Sequence, residues 1–242
     1  MYRWALVGLA AVGCGFDPRG AAGDGDGGGA GDGPAAPVDG GPDAGPTCTI
    51  APTGPIATSS QLASSTGGGP RAPLVCPAGQ WAVAAAFDLT DNPIANHGGE
   101  RLIDGLTIRC GAITLTAGAP EVVRGEPQSV LGGDTANCSA YFATTRSDET
   151  ACPSGSVWVG LSIHRPDEVL FNDVGLRCAT LAADGSVGTS IATVPVPGTG
   201  TSSSEIQVID CPAGTAVIGL TARSGCGIDG LSLQCQALAC GL

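Results

Sequence analysis

Three stretches of this chain open on Cys-Pro-x-Gly and close on a further cysteine, and a chain that repeats such a unit has few ways to fold. The copies run from Cys76 to Cys110 (CPAGQWAVAAAFDL, then RLIDGLTIRC), from Cys152 to Cys178 (CPSGSVWVGLSIHR, then LFNDVGLRC) and from Cys211 to Cys235 (CPAGTAVIGLTARSGCGIDGLSLQC). Counted from the opening cysteine, positions seven, nine and eleven are Val83, Ala85 and Phe87, then Val159, Leu161 and Ile163, then Ile218, Leu220 and Ala222. Period two marks a strand with one buried face, and Pro with Gly just ahead of it supplies the turn into a sheet. Counted back from the closing cysteine, positions four and two are Leu106 and Ile108, Val174 and Leu176, Leu231 and Leu233, with Asp104, Asn172 or Asp229 at six. Each copy therefore reads as a strand, a variable loop, an Asx turn and a second strand.

The opening cysteines lie 76 and 59 residues apart, so each repeat carries one or two further strands. A unit of this size cannot bury its apolar face alone, and three must share a core. The expected architecture is all-β, three small antiparallel Greek-key sheets around a pseudo-threefold axis, with a β-trefoil as the alternative. Only 13% of residues are charged, 40 are Gly and 18 are Pro; short apolar alternations between turn residues, without an amphipathic helical run, point to the same class.

Ahead of the repeats, Met1 to Gly13 places Arg3 before an apolar run from Trp4 to Val12 and then small residues before Cys14. This resembles a bacterial lipoprotein signal with its lipobox, although Ala11 stands where Leu is usual. The resemblance implies that Cys14 becomes the lipidated start of the mature chain; the alternative is an ordinary secretory signal. Gly15, where Asp would resemble an inner-membrane retention signal, makes the outer membrane or cell surface the expected location. Residues 14 to 47 hold six Asp against one Arg and almost no large apolar side chain, the composition of a tether that cannot bury enough surface to fold. The folded domain is then 48–242. It holds eight Arg against sixteen acids and no Lys, which argues against nucleic acid as a partner.

Apart from Cys14, ten cysteines remain: Cys48, Cys76, Cys110, Cys138, Cys152, Cys178, Cys211, Cys226, Cys235 and Cys240. An even number in an exported chain reads as five disulfides. The repeat pairs Cys76 with Cys110, Cys152 with Cys178 and Cys211 with Cys235. Cys48 with Cys240 would join the termini of a closed threefold structure, and Cys226 with Cys240 competes with it. Zinc knuckles with paired cysteines at short spacing do not occur, and no metal or cofactor is expected.

No catalytic motif is present, and His97 and His164 stand without further ligands at metal spacing. The first copy's loop, Asp88 to Arg101, is longer than the third's and carries Asp91, Asn92, Asn96 and Glu100, groups that bind sugar hydroxyls through planar hydrogen bonds. These four are the candidate ligand-binding residues. A glycan hydrolase would instead need two carboxylates from Asp88, Asp91, Glu100, Asp104 and Asp167 at a set separation. No catalytic residue is assigned, and an enzyme is not the expected function.

Taken together, Cys-Pro-x-Gly, Val-x-Gly-Leu and Ile-Asp-Gly-Leu-x-Leu-x-Cys resemble the repeat of the vitelline membrane outer layer protein family over roughly residues 70 to 242. The resemblance implies a β-prism, an architecture shared with jacalin-type lectins, and carbohydrate-related or extracellular-matrix roles without an established catalytic centre. Ala84-Ala85 departs from the Gly-Leu of the other copies, and Cys226 has no counterpart in them. The expected function is a lipid-anchored envelope protein with a lectin-like binding module, its partner a glycan or an envelope protein; the alternative is an inert structural envelope protein.

Overall fold

The structure, a computed structural model, describes residues 47–63, 68–91, 101–128, 144–164, 172–199, 206–225 and 227–241. All regular structure in them is β. The organising turn is the Cys-Pro-x-Gly motif. Its glycine takes a positive φ in every copy, 81° at Gly79, 77° at Gly155 and 78° at Gly214, a conformation open to Gly and costly for a side chain. The next residue closes the turn on the proline carbonyl: the N–H groups of Gln80, Ser156 and Thr215 donate to Pro77, Pro153 and Pro212 at 3.0, 3.0 and 3.1 Å.

Strand β1 (Cys48–Thr58) and the short β2 (Leu62–Ala63), β3 (Gly69–Pro70) and β4 (Leu74–Val75) precede the first turn. The first unit then holds β5 (Trp81–Asp91), β6 (Arg101–Thr116), β7 (Ala119–Gln128), β8 (Thr144–Arg146) and β9 (Thr150–Ala151). The second holds β10 (Ser156–His164), β11 (Asn172–Leu181), β12 (Val187–Pro195) and β13 (Ile206–Asp210), and the chain ends with β14 (Thr215–Ser224) and β15 (Ile228–Gly241). In the second unit the order is β12-β11-β10-β13, three hairpin-linked strands with a fourth returned beside the first, which is a Greek key. The first unit repeats it as β7-β6-β5 with β8 and β9 on the far side of β5. The third has β1-β15-β14 with β3 and β4, so the first strand of the domain completes the last sheet. Because β1 also pairs with β6, Cys48 opposite Leu115 and Ile50 opposite Ile113, the first and third units form one continuous sheet. The antiparallel three-unit architecture is the expected one, not the trefoil.

Two features of the ladders correct the reading of the repeat. Register breaks between Ala82 and Ala84, between Trp158 and Gly160 and between Val217 and Gly219, leaving Val83, Val159 and Ile218 as the extra residue of a bulge. A bulge re-aims the strand, so position six, not seven, joins nine and eleven. Ala82, Ala85 and Phe87, Trp158, Leu161 and Ile163, and Val217, Leu220 and Ala222 all lie in one core drawn from the three units. Val83, Val159 and Ile218 pack instead in a second cluster with Trp81, Val157 and Ala216. The other break skips Asp104, Asp173 and Asp229. The second copy's turn residue is thus Asp173, in the left-handed region at φ 51°, rather than Asn172, because that copy is one residue shorter here.

Glycine after the bulge has its own cause. A Cβ on Gly219 would lie 2.3 Å from the Leu74 carbonyl oxygen, and one on Gly160 would lie 2.6 Å from that of Ile209. The strand leading into each Cys-Pro-x-Gly turn crosses the preceding unit at this point, Ala151 opposite Ala84, Asp210 opposite Gly160 and Val75 opposite Gly219.

Four disulfides lie among the described residues. Cys76–Cys110, Cys152–Cys178 and Cys211–Cys235 clamp the paired strands at Cα separations of 5.5, 5.6 and 5.6 Å, as the repeat predicts. Cys48–Cys240, at 5.5 Å, settles the choice left open for Cys240. Cys138 and Cys226 lie outside the described residues, as do Cys14 and the rest of residues 1–46.

Candidate functional site

β5, β10 and β14 each run away from a Cys-Pro-x-Gly turn, so every hairpin has a base at the turn and a tip where the chain reverses into β6, β11 or β15. The tips span residues 92–100, 165–171 and 225–227. Asp91 ends β5, but its side chain lies outside the described residues, as do Asn92, Asn96, His97, Glu100 and Asp167. His164 ends β10 and its side chain is likewise not described.

What the structure places is the frame under the tips. In the first unit the Asp88 carboxylate is held in a forked pair by Arg146, Nε to Oδ1 at 3.0 Å and Nη2 to Oδ2 at 3.4 Å, and the same guanidinium donates to Thr107 Oγ1. A hydrolytic carboxylate at Asp88 would have to give up that pair. Each unit also satisfies one strand N–H with a hydroxyl: Phe87 donates to Ser147 at 2.9 Å, Val174 to Thr199 at 2.9 Å and Leu233 to Ser59 at 2.8 Å. These hydroxyls, all buried, let the crossing chain leave the ladder without stranding a donor.

The third tip is short and tightly held. Arg71 donates to Ser224, Arg223 Nη2 donates to the Gly68 carbonyl at 2.8 Å, and the Gly225 N–H donates to the Gly227 carbonyl at 3.1 Å. Asp229, only 8% exposed, sits against Gly68, where any Cβ would lie 2.2 Å from its Oδ2. Burial pushes the Asp229 carboxyl above its ordinary value, against the opposing pull of the Gly225 N–H and of Arg223. A Cβ on Gly227 would come within 3.3 Å of the Ile103 carbonyl oxygen, which brings this tip beside the first unit's hairpin.

Charge also ties the returning strand of the first and second units to its own sheet. Arg109 and Arg177 each stand one residue before a closing cysteine and take an acid that leads into the next opening cysteine. Arg109 Nε lies 2.5 Å from Glu149, and Arg177 forks onto Asp210 at 2.6 and 3.0 Å. Sequence reasoning missed these clamps. The signal was present: two copies end Arg-Cys while the third ends Gln-Cys. Among the described residues no three metal-ligating side chains converge.

Fold and frame together define the class: an all-β module of three antiparallel Greek-key units, braced by disulfides and closed by its own termini. No family model and no curated sequence matches the chain. Solved structures similar to it include a variant of Malaysian banana lectin (12% identity, 75% of this chain and 98% of that one, TM-score 0.40) and frutalin from Artocarpus incisa (8%, 76% and 97%, TM-score 0.42). Calsepa lectin in complex with a bisected glycan is similar at 13% identity over 75% of this chain and 98% of that one, with a TM-score of 0.39. At such identities these are likenesses in the course of the chain.

Proposed function

We propose that this protein is a lipid-anchored module of the bacterial cell envelope that binds a glycan with its hairpin tips, and that its repeat is that of the vitelline membrane outer layer protein family. The observation that carries the reading is one frame with three unlike tips. Bulge, turn and disulfide recur in every unit, whereas the connections at 92–100, 165–171 and 225–227 differ in length and composition. Variable loops on a rigid repeated scaffold are where binding surfaces are built. The longest tip carries Asn92, Asn96 and Glu100 beside Asp91, which offer carboxylate and amide groups to paired sugar hydroxyls. Four disulfides fit an oxidising compartment.

A glycan array probed with the detergent-solubilised mature protein tests the binding, and Asp91→Ala with Asn96→Ala is expected to remove it at little cost in stability. An array without hits sinks this reading in favour of an inert structural envelope protein. Anchoring is tested separately by labelling with a palmitate analogue, which Cys14→Ser is expected to abolish.

A further inference from the structure

The order in which the cysteines stand along the chain differs from the order in which the structure can align them. Val75, just ahead of Cys76, lies opposite Gly219 of β14, whereas Ala151, ahead of Cys152, lies opposite Ala84 of β5, and Asp210, ahead of Cys211, lies opposite Gly160 of β10. The Cys76 N–H donates to the Ile218 carbonyl at 2.8 Å, and the Cys211 N–H donates to that of Val159 at 2.7 Å. Cys152 and Cys211 therefore dock on strands that precede them in the chain. Of the three, only Cys76 docks on a strand still to come, β14, which begins at Thr215. Cys48 shares the delay, because β1 pairs with β15, Thr49 opposite Gly241, and its partner Cys240 belongs to that last strand.

Two thiols at the front of the domain thus have no framework until the chain is complete, and they stand only 28 residues apart. Their native partners are farther away, Cys110 by 34 residues from Cys76 and Cys240 by 192 from Cys48. The chance that two points of an unfolded chain meet falls as the three-halves power of the loop between them. Cys76 therefore meets Cys48 about 1.3 times as often as Cys110, and Cys48 meets Cys76 about 18 times as often as Cys240. The hairpin of β5 and β6 does not reverse this by itself. An isolated hairpin is marginal in water, and Phe87, Leu106 and Ile108 are buried in a core that needs Leu161 and Leu220 of the other units.

We infer that Cys48 and Cys76 join first in a non-native disulfide, and that the domain reaches its native set through a partner of one chemical class, a thiol–disulfide isomerase with a reactive cysteine. The exchange needs no oxidant. The partner's thiolate attacks the Cys76 sulfur, a mixed disulfide forms, and Cys48 leaves as a thiolate that takes up a proton. The Cys110 thiol gives up a proton and attacks the same Cys76 sulfur, so that Cys76–Cys110 forms and the partner leaves as its thiolate. Cys48 and Cys240 then pass two electrons and two protons to a disulfide-bearing oxidant, which is reduced to a dithiol. Burial withdraws the repeat disulfides from further exchange, since Cys110, Cys178 and Cys235 are 2, 3 and 0% exposed.

The inference rests on the disulfides and not on the glycan reading, so its test needs no sugar. The full chain with Cys14→Ser, which keeps the ten domain cysteines, is reduced, unfolded and returned to a glutathione buffer with or without catalytic protein disulfide isomerase. Samples quenched over time are alkylated and mapped as peptides. Without isomerase, Cys48–Cys76 is expected to be at least as abundant as Cys76–Cys110 at the earliest times and to decay over minutes to hours. Isomerase is expected to speed the appearance of Cys76–Cys110 by about tenfold or more, and an isomerase lacking its resolving cysteine should be caught on Cys48 or Cys76. In Cys48→Ala with Cys240→Ala the same bond is read at the same early times, before the stability of the finished domain matters, and isomerase should speed it by less than about twofold. A first bond between Cys76 and Cys110 without Cys48–Cys76, no acceleration by isomerase, or an acceleration as large in the double variant would overturn the inference.

Discussion

The second and third units share a frame and close it differently. The second takes all its strands from one run, Ser156 to Asp210, and the third takes β14 and β15 from the end of the chain and β1 from the start of the domain. Their central ladders match, with Leu161 opposite Leu176 in one and Leu220 opposite Leu233 in the other. The closures do not match. Arg177 reaches across β10 to Asp210 on β13, but in the third unit the corresponding residue is Gln234, and the distant strand is secured by Cys48–Cys240. A contiguous unit needs only a side-chain pair to finish it. One assembled across 192 residues of separation must offset a larger loop-closure entropy, and a covalent bond does so.

Removing a disulfide from each unit should separate the two most. The chain-entropy relation gives about 5 kcal/mol for the Cys48–Cys240 bond and about 3.5 kcal/mol for Cys152–Cys178, so Cys48→Ala with Cys240→Ala is expected to lower the denaturation midpoint more than Cys152→Ala with Cys178→Ala. The reverse order would mean that β1 is not what limits the third unit. Peptide mapping without reduction should first recover all four observed pairs, and with eight of the ten domain cysteines accounted for, Cys138 with Cys226 is expected as the fifth. Next in size, Leu176→Ala and Leu233→Ala should each cost about 2 to 5 kcal/mol by opening a cavity in the shared core. Urea unfolding that shows the two costs to differ widely would undo the equivalence of the ladders.

Arg177→Gln gives the second unit the third unit's residue and should cost about 1 kcal/mol, the worth of a half-exposed forked pair. No measurable change would assign the closure of the second unit to its backbone alone. The smallest effect is in pH. Because the folded-state pKa of Asp229 is raised, the third unit carries a penalty at neutral pH that is relieved as pH falls through that pKa toward the ordinary carboxylate value. Asp229→Asn should flatten this part of the stability profile, and an unchanged slope would show that the group is not desolvated.

Much of the frame was legible because its signals are local and repeated. Cys-Pro-x-Gly fixes turn and strand start, and the recurring cysteines fix three of the disulfides. Alternation misled at Val83, Val159 and Ile218 because a bulge inserts one residue without a composition signal and so exchanges faces. A fixed offset points to Asn172 instead of Asp173 as the turn residue because it cannot register that one copy is shorter. The place of β1 between β15 and β6 was hidden for a different reason: its pairing depends on closure of the whole, which no window of sequence contains. The Arg-acid clamps were written in plain residues but needed the order of the strands to be seen.

Under the proposed anchoring, the Cys48–Cys240 bond also decides how the module bears force. A pull arriving at Cys48, the first residue of β1, passes through sulfur to Cys240 as well as into the ladder that β1 makes with β6 from Cys48 opposite Leu115. The backbone pairs that share the load with the disulfide follow along β1 from Thr49 opposite Gly241 onward. The start of the domain is thus held to its last strand by a covalent bond in addition to the ladder.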